Sequence, residues 1–155
     1  MRPLLVCLAL TCLQAPAQIV LRIGNAPAVT ITAENLAKLP RHTAVLNEHG
    51  KRIAYEGALL RDVLAQGALD FGKELRGKQL STYISALASD GYQVVYALAE
   101  LDPTLIDSGI LVADKREGQP LAPNERPFRI IAPRDKRPAR CLRMLQEIDV
   151  VQLRK

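Results

Sequence analysis

The sequence predicts an α+β domain with a mostly antiparallel or mixed sheet and a few short helices. Short apolar runs with a period of two outnumber the runs with helical spacing. Gly, Pro, Asn and Asp separate these runs at short intervals, so most connections are short. No internal repeat or low-complexity segment follows residue 18, which favours one domain.

The first seventeen residues have the order of an export signal. Arg2 gives a positive start, Leu4 to Leu13 is apolar, and Ala15-Pro16-Ala17 is a small-x-small cleavage site. This apolar stretch is too short for a membrane-spanning helix, which needs roughly 20 residues. We therefore expect a cleaved signal over residues 1–17, a single domain over residues 18–155, no membrane span, and a periplasmic or secreted location. The alternative is an N-terminal core strand or helix.

The composition limits the classes of partner. Loss of residues 1–17 would leave 138 of the 155 residues, a formal charge of +4 instead of +5, and Cys141 as the single cysteine. One thiol cannot form an internal disulfide, so the fold must rest on its apolar core. The basic charge favours an anionic partner. Nucleic acid is not expected, because four Tyr and two Phe are the only aromatic residues and none alternates with basic residues along a strand.

The first half of the domain predicts two strand pairs and two short helices. Gly24-Asn25-Ala26-Pro27 is a turn between two β-rich runs. Thr32 can cap a helix that Pro40 ends. A second helix has apolar residues at helical spacing, and Gly67 is placed to close it. The predicted strands are 19–23, 29–31, 42–46 and 51–55, and the predicted helices are 32–39 and 59–66.

The clearest element of the second half is a β-hairpin. Residues 80–89 alternate with a period of two, which is typical of a strand. Asp90-Gly91 has the chemistry of a two-residue turn with positive φ, and residues 93–98 form the return strand. Further strands are predicted at 110–113, 128–132 and 144–151, with a short turn or helix at 101–103 and one helical turn at 139–143.

Four segments carry a resemblance to a known family. They are Ala88-Ser89-Asp90-Gly91-Tyr92-Gln93-Val94-Val95-Tyr96, Leu98-Ala99-Glu100-Leu101-Asp102-Pro103, Ile110-Leu111-Val112-Ala113-Asp114 and Pro133-Arg134-Asp135-Lys136-Arg137-Pro138-Ala139-Arg140. Together they resemble the small exported members of the oxidoreductase molybdopterin-binding domain family. The resemblance implies the sulfite oxidase-like fold of that family for residues 18–155.

The resemblance also implies where a metal ligand would lie. In catalytic members of the family a cysteine thiolate, a soft ligand, coordinates molybdenum. That cysteine lies on the strand before the residues that match Tyr55-Glu56-Gly57, in the span 42–47, where this chain has no cysteine. Cys141 falls where relatives carry a bulky aromatic residue, so we expect it to pack in the core. We therefore expect no metal ligand and no catalytic residue of that family.

Residues 126–143, the basic segment, hold seven basic side chains against one acid, Asp135. Guanidinium groups can clamp an oxyanion or a phosphate, and the molybdopterin cofactor carries a phosphate. The alternative is a solvated loop whose arginines pair with acids such as Asp90, Glu100 or Asp102. Asp90 has two possible roles: it orients an arginine of the basic segment, or it is the first residue of a tight turn. The candidate binding residues are Arg134, Lys136, Arg137 and Arg140 of the basic segment and Ser89, Asp90 and Tyr92 of the hairpin turn.

Other catalytic patterns are missing from the sequence. His42 and His49 are the only histidines, and they form neither a helical metal motif nor a triad with a Gly-x-Ser-x-Gly elbow. The chain has no Cys-x-x-Cys-His, no Gly-x-Gly-x-x-Gly and no phosphate-binding loop. The sequence therefore offers no support for covalent haem or a nucleotide cofactor.

Three functions remain open. The first, which we prefer, is an accessory domain without a cofactor that binds a small anionic ligand or a periplasmic protein partner. The second is a molybdopterin-dependent oxidoreductase without a protein thiolate, in which Arg137 and Arg140 contact the pterin phosphate. The third is a structural module that uses an exposed sheet edge.

Overall fold

The computed structural model describes residues 17–69, 71, 75–106 and 108–153. The predicted export signal lies outside the described residues apart from Ala17. Within these ranges the chain forms two five-stranded sheets and two short α-helices. The predicted α+β class with mixed and antiparallel sheets is confirmed.

Strands dominate the order of elements. The strands are β1 (Gln18–Ile23), β2 (Val29–Thr32), β3 (His42–Glu48), β4 (Lys51–Leu59), β5 (Thr82–Ala88), β6 (Gln93–Ala97), β7 (Leu111–Arg116), β8 (Gln119–Pro120), β9 (Arg129–Ile131) and β10 (Leu145–Gln152). The α-helices are α1 (Ala33–Lys38) and α2 (Leu60–Ala65), and 3₁₀ turns cover Gly77–Ser81, Leu98–Leu101 and Pro138–Arg140.

The first sheet has the strand order β2-β1-β10-β5-β6. β1 pairs with β10 in parallel, while β1–β2, β10–β5 and β5–β6 are antiparallel. The predicted hairpin is confirmed as β5–β6, with Ala86 opposite Val94. β5, the first strand of this hairpin, is shorter than predicted, because Leu80 and Ser81 belong to a 3₁₀ turn.

The second sheet has the order β3-β4-β7-β8, and β9 also pairs with β7. β4 runs four residues beyond the predicted strand, to Leu59, after an irregularity between Glu56 and Gly57. Gly57 lies so close to β7 that a Cβ atom there would be 2.0 Å from the carbonyl oxygen of Val112. β8 was not predicted, because its two residues, the second of which is Pro120, are too few to show the alternation of a strand.

The two helices pack on one hydrophobic core that joins both sheets. Thr32 caps α1, since its Oγ1 accepts from the Asn35 amide at 3.2 Å and Asn35 Oδ1 accepts from the Thr32 amide at 3.0 Å. α2 buries Leu60, Val63 and Leu64 completely. None of the helices in the described part of the chain is long and apolar enough to cross a bilayer.

Candidate ligand-binding cleft

A cleft of about 430 Å³ lies where three parts of the chain meet. The end of β3, the turn between β5 and β6, and the second half of the basic segment form its walls. We call this site the cleft, and its lining residues are Asn47, Glu48, His49, Asp90, Tyr92, Arg129, Pro138, Ala139, Cys141 and Arg143. It is therefore built from residues that are up to 96 positions apart in the sequence, between Asn47 and Arg143.

The hairpin turn joins the basic segment at the cleft. Asp90 Oδ1 accepts a hydrogen bond from the Tyr92 amide at 3.0 Å, and Gly91 has a φ of +87°, so Asp90 shapes the turn. The Tyr92 hydroxyl donates to the carbonyl oxygen of Ala139 at 2.7 Å. Ser89 lines a different groove, which Met144 also lines, and the Ser89 amide donates to the Met144 carbonyl at 3.0 Å. Two of the three hairpin candidates, Asp90 and Tyr92, thus reach the cleft.

A buried arginine forms part of the cleft wall. Arg129, on β9, has an exposed fraction of only 1%. Its Nη1 donates to the Tyr55 hydroxyl at 2.5 Å and to Glu125, and its Nη2 donates to Glu48. Its guanidinium carbon also lies 4.8 Å from the centre of the Tyr55 ring. These contacts satisfy most of the guanidinium group and hold it in one position.

The ionisation of this cluster follows from its ion pairs. Burial opposes the charged form of Glu48, but the hydrogen bond and charge of Arg129 outweigh it and hold the pKa of this carboxyl below its usual value. Arg116 adds longer contacts to Glu48, at 3.7 Å, and to Glu125, at 3.6 Å. Burial raises the pKa of Tyr55, so its hydroxyl stays protonated. The cluster therefore consists of two arginines, two carboxylates and a neutral phenol.

One nitrogen atom of the Arg129 guanidinium group makes no hydrogen bond to the described residues. Its Nε is buried and has no hydrogen-bond partner within the part of the chain that the structure describes. A buried N–H group without an acceptor costs roughly 1–3 kcal/mol. Arg129 lines the cleft, but its Nε is closed off from solvent, so a bound molecule would reach this donor only after a shift of the surrounding side chains. The exposed Arg143 lies in the same cleft and adds a second positive charge.

Arg140, one of the predicted binding residues, pairs with acids inside the protein. Its Nε and Nη2 donate to the two carboxylate oxygens of Asp135 at 2.8 and 2.7 Å, and its Nη1 donates to Glu100 at 3.1 Å. Its guanidinium carbon lies 5.0 Å from the centre of the Tyr96 ring. These partners raise the pKa of Arg140. The basic segment was expected either to clamp an anion or to pair its arginines with acids. Arg140 pairs with acids, and these hydrogen bonds lie within the protein.

The other basic candidates are dispersed. Arg134 lines a groove with His42, and Lys136 lines a third groove with Arg52. Arg137 is exposed and precedes the 3₁₀ turn at Pro138–Arg140. None of these three lines the cleft.

Arg129 and Arg143 were not among the binding residues predicted from the sequence. The signal for Arg129 was a charged residue inside the apolar run 128–132, which is unusual for a buried strand.

The residues present do not fit a molybdenum cofactor held by a thiolate. Within β3, in the span where the resemblance predicts the cysteine, Ala44 and Leu46 are buried. Cys141 is buried with the core, as expected, and also lines the cleft. Its Sγ accepts from the Ala132 amide at 3.3 Å, and burial raises its pKa, so the thiol form is favoured. No group of three or more His, Cys, Asp or Glu side chains in the described residues could hold a metal ion.

The comparisons with known proteins support the fold. No family model and no curated protein matches the sequence. The structure is similar to the crystal structure of the sulfane dehydrogenase SoxCD from Paracoccus pantotrophus, with a TM-score of 0.63 and 15% sequence identity. The match covers 86% of this chain but only 38% of that chain. At this identity the similarity concerns the fold alone, and it supports a distant relation to the molybdopterin oxidoreductase fold.

Proposed function

We propose that this chain is an exported accessory domain that binds a small anion in the cleft and carries no molybdenum cofactor. The observation that carries the proposal is the buried Arg129, which lines the cleft with one unused N–H donor. The fold is distantly related to that of molybdopterin oxidoreductases, but the sulfur ligand expected at residues 42–47 is missing from the sequence.

The charges of the cleft are balanced, so a small anion would be held there by directed hydrogen bonds more than by net charge. Arg129 and Arg143 line the cleft together with Glu48 and Asp90, so its positive and negative charges are equal in number. Arg129 is held by Glu48 and Glu125, and its buried Nε becomes available to an anion when the side chains around it in the cleft shift. A charge-assisted hydrogen bond from a fixed donor is worth more than one from a mobile side chain. A carboxylate or a similar small anion suits this arrangement.

The test compares two exposed arginines of the basic segment. Amide NMR titrations of the protein with acetate, sulfate and inorganic phosphate should shift residues around the cleft. Arg143→Gln should lower the affinity for the most tightly bound of these anions about tenfold, as expected for the loss of one charge-assisted hydrogen bond. Arg137→Gln, the matched control, should leave the affinity unchanged, because Arg137 lies outside the cleft. Equal affinities of the two variants would refute the proposal.

A second variant tests the donor itself. Arg129→Lys keeps the buried positive charge but removes the Nε–H group. If circular dichroism shows a native fold, this variant should bind the same anion more weakly than the wild-type protein. Unchanged affinity would mean that the cleft binds no anion through Arg129.

The alternative function is a molybdopterin-dependent oxidoreductase without a protein thiolate, in which case the cofactor would supply the redox chemistry. The similarity to a sulfane dehydrogenase favours it. Expression with the N-terminal segment in a molybdenum-replete host separates the two functions. We expect no molybdenum or pterin in the purified protein, and an N-terminus near Gln18 if the segment is a cleaved signal. Near-stoichiometric metal would establish the alternative.

A further inference from the structure

A second groove lies at the opposite end of β3 from the cleft. The first residues of β3, the start of α2, Ser108-Gly109 and Pro133-Arg134 enclose about 420 Å³. We call it the basic groove. β3 runs from His42, in this groove, to Glu48, in the cleft, and a strand rises about 3.3 Å per residue, so the two sites are roughly 20 Å apart. A ligand in one therefore does not fill the other.

The basic groove differs from the cleft in its charge. Arg61, Arg134 and His42 line it, and no carboxylate is among its described lining residues. Arg61 makes a long contact of 3.7 Å with Asp62, and because both side chains are partly exposed, this pair neutralises little of its charge. After the hydrogen bonds from Thr104, the charge of Arg61 also contributes to the lowered pKa of Asp102. Arg134 is exposed and makes no hydrogen bond or ion pair within the described part of the chain.

A buried hydroxyl in the same groove points independently to a ligand. Ser108 is 8% exposed, and its Oγ has no hydrogen-bond partner among the described residues. Buried polar atoms are nearly always paired in native proteins, so an unpaired one in a groove calls for a partner. Thr43 provides a further hydroxyl side chain in the lining.

We infer that the basic groove is a second anion site, which takes a doubly charged phosphate group. Two guanidinium groups in a groove with no carboxylate among its described lining residues favour a dianion, and their planar donors match phosphate oxygens two at a time. Ser108 Oγ is buried in the free protein, so the Ser108 side chain must rotate to donate to a further oxygen. The groove is larger than one phosphate ion, so it has room for the organic part of a phosphate monoester. This inference does not depend on the function proposed for the cleft.

Amide NMR titrations with inorganic phosphate and with phosphoserine test the inference. Binding should shift the amides of Ser108 and Gly109. Arg134→Gln should weaken binding at these amides about tenfold, and Ser108→Ala should weaken it by a smaller factor. Arg137→Gln is the matched control in the same segment, and Arg143→Gln is the control for the cleft. Both should leave the shifts at Ser108 and Gly109 unchanged.

The two ligands distinguish the source of the phosphate. Tighter binding of phosphoserine identifies a phosphate monoester as the ligand, and equal binding identifies the free ion, so either result supports the site. The inference fails if neither ligand shifts Ser108 and Gly109, or if Arg134→Gln and Arg137→Gln bind equally. Loss of cleft binding in Arg143→Gln with intact binding at Ser108 would separate the two sites.

Discussion

At the scale of single residues, Arg129 connects stability with the proposed binding. Its guanidinium group bridges Glu48 at the end of β3 and Glu125 before β9 and also contacts the Tyr55 ring. Such buried ion pairs contribute little net stability, but removal of one partner leaves charge buried without compensation. The same contacts fix the position of the guanidinium group whose Nε carries the proposed binding, so one side chain would serve both stability and binding.

Replacement of Arg129 by Gln should destabilise the protein strongly. The change leaves the buried Glu48 and Glu125 without their closest cation, for which we expect a loss of about 3–5 kcal/mol in the free energy of unfolding. Urea denaturation measures this loss. Arg137→Gln, at an exposed position in the same segment, should change the free energy by less than about 0.5 kcal/mol. Similar stabilities of the two variants would contradict the role of the ion pairs.

Glu48 should make the stability depend on acid pH. Its pKa is lowered in the folded protein, so the unfolded chain binds a proton more readily. The stabilisation is complete at neutral pH, above the unfolded pKa of about 4.3, and declines as pH falls through the lower folded pKa. Urea unfolding between pH 7 and pH 2 should show this decline, and Glu48→Gln should reduce it. An identical slope in the variant would show that other carboxyls account for the acid sensitivity.

At the scale of elements, local sequence patterns predicted the hairpins and helix starts, which depend on residues close together in the sequence. Alternation in residues 82–88 and the Asp90-Gly91 turn suffice for the β5–β6 hairpin, and Thr32 suffices for the start of α1. The cleft could not be predicted in the same way, because Arg129 meets Glu48 and Tyr55 across 81 and 74 residues. The sequence showed a charge in an apolar run, but its partners depend on the arrangement of the sheets.

The close approach of β4 and β7 gives a prediction for one glycine. Gly57 has no room for a Cβ atom, which would meet backbone atoms of Val112 and Ala113 within 2.7 Å. Gly57→Ala must push the strands apart, for which we expect a loss of about 3 kcal/mol in thermal or urea unfolding. Gly118→Ala is a useful comparison, because its added Cβ meets nothing within 4 Å and only its φ of +74° is unfavourable. A smaller effect at Gly57 than at Gly118 would contradict the tight packing.

At the scale of the whole molecule, both sheets share one hydrophobic core, so they should unfold together. The chain contains no Trp, and two of its four tyrosines are fully buried: Tyr55 in the second sheet and Tyr96 in the first. Far-ultraviolet circular dichroism and tyrosine fluorescence should therefore give coincident transitions in urea. Tyr55→Phe, which leaves tyrosine reporters only on the first sheet and its hairpin turn, should show the same midpoint by both methods. Separate transitions would mean that the sheets are independent units.

The parallel pairing of β1 with β10 also affects how the protein folds. Val20 lies opposite Glu147, so this pairing joins residues that are 127 positions apart in the sequence. Without β10, β1 can pair only with β2, and an isolated two-stranded hairpin is marginally stable. The first sheet therefore depends on a contact of large sequence separation, which is slow to form.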